Sequence, residues 1–225
     1  MNIVTSVFQS SVGKKFILAI TGTLLFGFVI VHLLGNLQIF LGPEALNSYA
    51  ALLKANPLLL WGARLGLLTL FLLHITTATS ISLENWAARP TPYAVNIHPY
   101  TTVASRTMVI SAGMVFAFVI YHLLQFTVGV THPEIMRFQD AKGHLDVYRM
   151  VVAGFSHPLV AAFYILAMTL LYLHLRHGLA SLFQTLGLKN KHYGGLIEGF
   201  AQVTALVILA GYCSIPIAVL LGFGR

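Results

Sequence analysis

Long runs of apolar residues, broken by short polar segments, dominate the chain. Five runs are each long enough to cross a bilayer as a helix, which takes about 20 predominantly apolar residues. They lie near residues 16–40, 58–83, 106–130, 155–181 and 196–222. Proline and polar residues mark the connections, as in Gly42-Pro43-Glu44. The pattern predicts an all-α integral membrane protein of five transmembrane helices, forming one membrane domain over residues 1–225.

The composition agrees with a membrane protein. Of the 225 residues, 57% are hydrophobic and only 8% are charged, against about 25% charged residues in ordinary soluble domains. The single cysteine, Cys213, lies in the last apolar run, which argues against a disulfide framework or an iron–sulfur cluster in this chain. The net charge of +7 comes from basic residues scattered at run ends and in loops. That distribution predicts no nucleic-acid partner and favours contact with the lipid bilayer.

The basic residues also give a weak orientation. If the N-terminus is cytoplasmic, seven of the thirteen Lys and Arg residues fall on the cytoplasmic side. The positive-inside rule therefore favours a cytoplasmic N-terminus. Lys14 and Lys15 precede the first apolar run, but that run is too long for a signal peptide and lacks a small-residue cleavage site. We expect it to be retained as the first helix.

Four histidines lie inside the apolar runs, one on each of the first four. They are His32, His74, His122 and His174. Ionisable groups within hydrocarbon are costly and usually face the bundle interior with a partner. Each lies roughly 16 residues, or about 24 Å, from the start of its run. Because successive helices alternate in direction, His32 should share an outer level with His122, and His74 an inner level with His174. The two levels should lie roughly 10 to 15 Å apart in a hydrocarbon core about 30 Å thick.

Two imidazoles from different helices are the axial ligands that a low-spin b-type haem requires. The C-x-x-C-H motif of covalently attached haem does not occur in the sequence. We therefore predict two haem b groups, the outer held by the first and third helices and the inner by the second and fourth. His177, three residues after His174, is the competing ligand. Five glycines would leave room for the macrocycles, namely Gly22, Gly27, Gly35, Gly113 and Gly178.

Haem propionates are anions that need cations or hydrogen-bond donors when buried. Residues near the cytoplasmic helix ends are the natural candidates for the inner haem. They are Arg106, Arg176, Ser105, Lys15 and His177. The competing interpretation is that the basic residues contact lipid phosphates instead.

A quinone site needs an apolar cleft and a few polar groups that bind the carbonyl oxygens. Two clusters meet this description, and the sequence does not choose between them. The outer cluster is Asn36, Gln38, Glu44 and Gln125. The inner alternative is Ser82, Glu84, Asn85, Trp86 and Arg89.

An ordered set of short motifs connects the chain to a known family. The motifs are Ser11-Val12-Gly13-Lys14-Lys15, His32-Leu33-Leu34-Gly35-Asn36, His74 followed by Asn85-Trp86-Ala87-Ala88-Arg89-Pro90, Ser105-Arg106-Thr107-Met108, Tyr121-His122-Leu123, and His174-Leu175-Arg176-His177-Gly178 leading into Phe183-Gln184-Thr185-Leu186-Gly187. Over essentially its whole length the chain resembles the five-helix dihaem cytochrome b subunit of bacterial succinate dehydrogenases and fumarate reductases, particularly the b558-like group.

The resemblance implies a multi-pass subunit of the inner (cytoplasmic) membrane. It implies two partners on the cytoplasmic side, a flavoprotein (FAD) subunit and an iron–sulfur subunit, and a possible higher oligomer of the complex. The complex would oxidise succinate and reduce quinone, or catalyse the reverse reaction, with menaquinone as the expected quinone. No succinate chemistry would take place in this chain. The family's H-x-x-x-G pattern matches His174 to Gly178 and selects His174 over His177 as the ligand.

One position departs from the family pattern, and two alternatives stay open. Some dihaem fumarate reductases use a Glu two residues before the fourth-helix ligand as part of a proton route, and here that position is Tyr172. A carboxylate-based proton path is therefore not expected. The first alternative is a dihaem anchor of a hydrogenase or formate dehydrogenase. The second is a haem-free transporter or structural anchor whose histidines bind an ion or protons.

Overall fold

The computed structural model describes residues 8–88 and 102–224, and in these ranges the chain is helical with no β-strand. Five helical segments are long and apolar enough to cross a membrane. They are Ser11–Leu41, Pro57–Ala87, Met108–Arg137, Pro158–Thr185 and Gly194–Leu220. The predicted all-α architecture with five such segments, and with it a multi-pass membrane protein, is confirmed.

The described α-helices are labelled here in chain order. The long ones are α1 (Ser11–Leu37), α3 (Pro57–Ala87), α5 (Met108–Leu123), α7 (Pro158–Thr185) and α8 (Gly194–Leu220). The short ones are α2 (Pro43–Lys54), α4 (Val103–Arg106) and α6 (Val147–Phe155). Two 3-10 turns, Gln38–Leu41 and Pro133–Arg137, and a π-helical turn, Leu124–Val128, complete the set.

Capping residues set where the helices begin. The Ser10 side chain accepts a hydrogen bond from the backbone N–H of Gly13 at 3.0 Å, and Asn56 does the same for Leu59 at 3.1 Å. Proline occupies the first position of α3 and α7, where its missing N–H costs nothing. Because Ser10 caps the helix, α1 begins at Ser11 rather than near residue 16, where the apolar run begins.

The five spans form one bundle. Helices α7 and α8 make the most extensive contact, while α1 packs on α3, α7 and α8, and α5 packs on α7. Small residues at 0% exposure, Ala161 on α7 and Ala201 and Ala205 on α8, let the backbones approach closely. The fifth span is therefore packed into the bundle with the first four.

Short helices cover one end of the bundle, which we call the capped end. The Asn47 side chain on α2 donates to Asp146 Oδ1 and accepts from the backbone N–H of Tyr148, both at 3.0 Å, and so joins α2 to α6. Leu46, Val152 and Phe155 pack together beneath this link. The other end, where α1 and α8 start and α3 and α7 finish, is the open end. Residues 131–150, which lie between the third and fourth apolar runs, contain a 3-10 turn and the capped start of α6.

Candidate functional site

Two pairs of histidine rings meet inside the bundle. His32 on α1 and His122 on α5 have ring centroids 5.8 Å apart, with ring planes at 78°. His74 on α3 and His174 on α7 have ring centroids 6.5 Å apart, with planes at 63°. These are the pairs that the alternating helix directions predict. The ring that meets His74 is His174, whereas the His177 ring lies 3.3 Å from the Ser181 hydroxyl through its Nε2.

The two pairs lie at different heights. His74 contacts Thr21, which precedes His32 on α1 by eleven residues, or about 16 Å of helix. Tyr164 contacts His122 and precedes His174 on α7 by ten residues, or about 15 Å. The two estimates agree, and they lie at or just above the upper end of the predicted range of roughly 10 to 15 Å. The His32–His122 pair is the one nearer the capped end, because α1 ends there at Leu37.

A buried series of hydrogen bonds lies beside His122. Its Nδ1 lies 3.3 Å from the Tyr164 hydroxyl oxygen, and that hydroxyl donates to Gln125 Oε1 at 2.9 Å. The Gln125 side chain is 0% exposed, and its Nε2 has no hydrogen-bond partner among the described residues. Phe118 and Phe126 flank the His122 ring, with centroids 5.8 Å from it. Sequence reasoning missed Tyr164, which stands in an apolar run with nothing to distinguish it.

The surroundings of His74 repeat this arrangement with a different hydroxyl. His74 Nδ1 lies 2.9 Å from Thr21 Oγ1, and the Thr21 hydroxyl donates to the carbonyl oxygen of Ile17 at 2.8 Å. A Cβ on Gly22 would lie 3.4 Å from His74 Cε1, so glycine permits the ring to approach α1 closely. On the partner ring, His174 Nδ1 is buried and has no partner in the described ranges.

The pairs fit the axial positions of a haem. The bond from a metal to an imidazole nitrogen is about 2.0–2.1 Å long, and that nitrogen lies about 1.1 Å from the centroid of its ring. Two imidazoles on opposite sides of one iron therefore have ring centroids about 6 Å apart. Both observed separations match this distance. The described residues contain no group of three or more His, Cys, Asp or Glu that could hold a metal ion. A haem iron needs only two protein ligands, because the macrocycle supplies the other four.

The glycines divide into two groups. Gly22 makes room for His74, and Gly35 makes room for the Tyr49 ring, whose Cε1 would lie 2.7 Å from a Cβ at that position. Gly35 therefore serves the packing of α2 on α1, and its expected role beside a macrocycle stays a prediction. Nothing lies within 4 Å of a Cβ built at the remaining three, which are Gly27, Gly113 and Gly178.

The propionate candidates lie toward the open end. Lys15 and Arg106 are exposed, while Ser105, Arg176 and His177 are half-buried. The buried cation of this region is instead Lys14, which donates to Ser80 at 2.9 Å and forms an ion pair with Glu84. That the five candidates contact propionates stays a prediction.

The quinone candidates are placed in different surroundings. At the capped end, Asn36 donates to the carbonyl oxygen of His32 at 2.7 Å, Gln38 is half-buried, and Glu44 is exposed with its carboxylate 3.9 Å from Lys142 Nζ. Gln125 is in the interior, as described above. At the open end, Glu84 forms an ion pair with Lys14. Ser82 is half-buried, and Asn85 and Trp86 are exposed. Arg89 lies outside the described residues.

Comparison with known proteins finds no relative. No protein-family model, curated protein or solved structure matches the chain. The resemblance described above therefore stays a prediction from the sequence motifs.

Proposed function

We propose that this chain is the dihaem cytochrome b membrane anchor of a succinate:quinone oxidoreductase. It passes electrons between an iron–sulfur subunit and a quinone, with menaquinone as the expected substrate. The observation that carries the proposal is the pair of bis-histidine arrangements at two heights, each with ring centroids separated as one iron requires. The ordered motifs, from Ser11–Lys15 to Phe183–Gly187, support the choice of the succinate dehydrogenase and fumarate reductase family.

Each residue has a defined part in this proposal. His32 and His122 hold one haem and His74 and His174 the other, and when bound the haems supply two one-electron carriers across the membrane interior. The protein keeps the rings in an apolar setting, with Phe28 stacked 5.3 Å from His32 and the two phenylalanines beside His122. Burial of this kind is one of the means by which a protein sets a haem potential.

Succinate oxidation itself belongs to other chains in this proposal. The described residues outside the spans form three short helices and turns, and the flavoprotein and iron–sulfur subunits supply the soluble chemistry. Those subunits bind on the cytoplasmic side of the inner membrane. The half-buried and exposed basic residues of the open end suit contact with that side.

Optical spectra and haem-to-protein ratios of single variants test the proposal. The purified chain should show a b-type reduced-minus-oxidised spectrum and two haems. His32→Ala or His122→Ala should remove one haem, and His74→Ala or His174→Ala the other. His177→Ala is the matched control and should keep both. Loss of a haem in His32→Ala with full retention in His122→Ala would contradict the pairing, and a spectrum without a b-type band would leave the haem-free transporter or anchor.

Co-purification separates the enzyme families. Native membranes solubilised gently should yield this chain with a subunit containing covalent or tightly bound FAD and a subunit containing iron–sulfur clusters, and the isolated complex should oxidise succinate. A hydrogenase or formate dehydrogenase catalytic subunit in their place would overturn the family assignment and leave the dihaem site intact.

A further inference from the structure

Among the described residues, one ring of each histidine pair is hydrogen-bonded to a hydroxyl through Nδ1 and the other ring is not. His122 contacts the Tyr164 hydroxyl and His74 contacts the Thr21 hydroxyl. The partner rings differ from these, since His174 Nδ1 is buried without a partner in the described part of the chain and His32 stacks on Phe28. The same division occurs at both heights, although the hydroxyls come from different residue types on different helices.

The direction of these hydrogen bonds follows from counting protons. A hydroxyl group has one proton to donate. Tyr164 donates its proton to Gln125 Oε1, which only accepts, and Thr21 donates its proton to the Ile17 carbonyl oxygen, which also only accepts. With the hydroxyl protons directed to these acceptors, the imidazole is the donor in both contacts. This places the proton of the neutral ring on Nδ1 and leaves a lone pair on Nε2.

We propose that Tyr164 and Thr21 are positioning residues that fix the Nδ1–H tautomer of His122 and His74. The inference rests on the proposed function, in which the free Nε2 lone pair binds a haem iron. Metal-bound histidines usually donate their other ring N–H to an oxygen, and that bond fixes both tautomer and ring orientation. Thr21 accepts such a hydrogen bond from His74. Tyr164 accepts one from His122 while it donates its own proton to Gln125.

The π-helical turn gives Gln125 its place in this arrangement. The turn Leu124–Val128 follows α5 and ends at Gly129 with φ of 78°, where glycine adopts the left-handed conformation readily. The buried Gln125 side chain then accepts the hydrogen bond from the Tyr164 hydroxyl through Oε1, and Gly154 provides the space beside it, because a Cβ there would lie 3.2 Å from Gln125 Nε2.

The hydrogen bonds also predict an electronic effect. Donation from Nδ1–H makes the ring a stronger electron donor through Nε2, which favours oxidised iron and lowers the midpoint potential. Removing the hydroxyl should raise the midpoint of one haem and leave the other unchanged. Tyr164→Phe should act on the haem of His32 and His122, and Thr21→Val on the haem of His74 and His174.

Nitrogen NMR tests the tautomer assignment without reference to activity. The full chain would carry ¹⁵N-labelled histidine in lipid bilayers, fully reduced so that any bis-histidine haem iron is diamagnetic. We expect protonated Nδ1 at His122 and His74, with the Nδ1 shift of His122 altered in Tyr164→Phe and that of His74 altered in Thr21→Val. Thr21→Ser should restore the wild-type shift of His74.

Matched controls come from hydroxyl residues nearby. Tyr121→Phe removes a neighbouring tyrosine hydroxyl on α5, and Thr23→Val removes a threonine hydroxyl that donates to the Ala19 carbonyl oxygen at 2.8 Å. Neither should change the histidine shifts. A proton on Nε2 of His122 and His74 in the wild-type chain, or unchanged shifts in both test variants, would overturn the inference.

A redox titration of the same samples separates this inference from the proposed function. An upward shift of one midpoint per test variant, with the other midpoint and both controls unchanged, supports it. Unchanged midpoints with altered nitrogen shifts would overturn the electronic effect. If the chain contains no haem, the proposed function fails, and the nitrogen spectra still decide whether the two hydroxyls fix the tautomers.

Discussion

A single buried lysine shows how the protein accommodates a charge at the end of its spans. The Lys14 side chain on α1 is 10% exposed, whereas the Glu84 side chain on α3 is 50% exposed. Ser80 accepts a second hydrogen bond from the ammonium group at 2.9 Å. Removal of one partner of this ion pair therefore costs a different amount of stability from removal of the other. The Glu84 carboxylate can turn to water when Lys14 is lost, whereas the buried ammonium group cannot do so when Glu84 is lost.

We predict that Glu84→Ala lowers the melting temperature of the detergent-solubilised protein more than Lys14→Met does. The first variant leaves a buried ammonium group with Ser80 alone, and the second replaces the charge with an apolar chain of similar length. Lys15→Met, next along the helix and exposed, is the control and should melt like the wild type. Equal losses in the two test variants would show that the burial of Lys14 does not set the cost.

Acid should loosen the turn at Asp140, which lies outside the spans. Its Oδ1 accepts the backbone N–H groups of Lys142 and His144, both at 2.9 Å. Desolvation raises the pKa of Asp140, but these N–H groups and the neighbouring positive charges outweigh it and lower the pKa below its ordinary value. The stabilisation is therefore complete above the unfolded pKa and is lost as the pH falls through the lower, folded pKa. Amide chemical shifts of the turn should report a transition below about pH 4. Asp140→Asn should abolish this transition. If the transition persists in that variant, it belongs to another group.

At the scale of elements, the contact between α1 and α2 depends on a missing side chain. Gly35→Ala would place a methyl group against the Tyr49 ring, with Cε1 and the hydroxyl oxygen 2.7 and 2.8 Å away. We expect a loss of about 1–3 kcal/mol of stability, the usual cost of overpacking, measured by denaturant titration in micelles. Gly66→Ala on α3, where nothing lies within 4 Å of the added carbon, is the matched control. A Gly35→Ala protein as stable as the control would mean that α2 moves away freely.

Among the elements, those set by long apolar runs could be predicted from the sequence. Those set by local caps and by contacts between helices could not. Five apolar runs predict five spans, and helix direction predicts which histidines meet. The short helices α2 and α6 are not predicted. With 12 and 9 residues they are too short to cross a membrane, and they depend on a proline, the Asp146 cap and the Asn47 link. Thr21 and Tyr164 are also missed, since their contacts with histidine arise only when α1 meets α3 and α5 meets α7.

Across the whole molecule, the second span is the least enclosed by protein. None of the most apolar 18-residue stretch of α3 is buried inside the bundle, against a third of the corresponding stretch of α8. Helix α3 packs chiefly on α1, and its further contacts include Phe71 stacked on Phe116 of α5 and the approach of His74 to His174 on α7. In the proposed function, a haem between these rings would add a strong connection between α3 and α7.

If the chain binds haem as proposed, haem removal should therefore loosen α3 more than any other span. A ligand present at 100 times its dissociation constant stabilises the bound form by about 2.7 kcal/mol, which corresponds to about a hundredfold change in local opening. Protein from haem-deficient cells, compared with haem-replete protein by hydrogen–deuterium exchange in bilayers, should show faster exchange concentrated in residues 57–87. His174→Ala should reproduce this pattern, whereas His122→Ala should leave α3 largely protected, because it affects the pair nearer the capped end. Faster exchange in α8 than in α3 would contradict the idea that the His74–His174 pair ties the second span to the bundle.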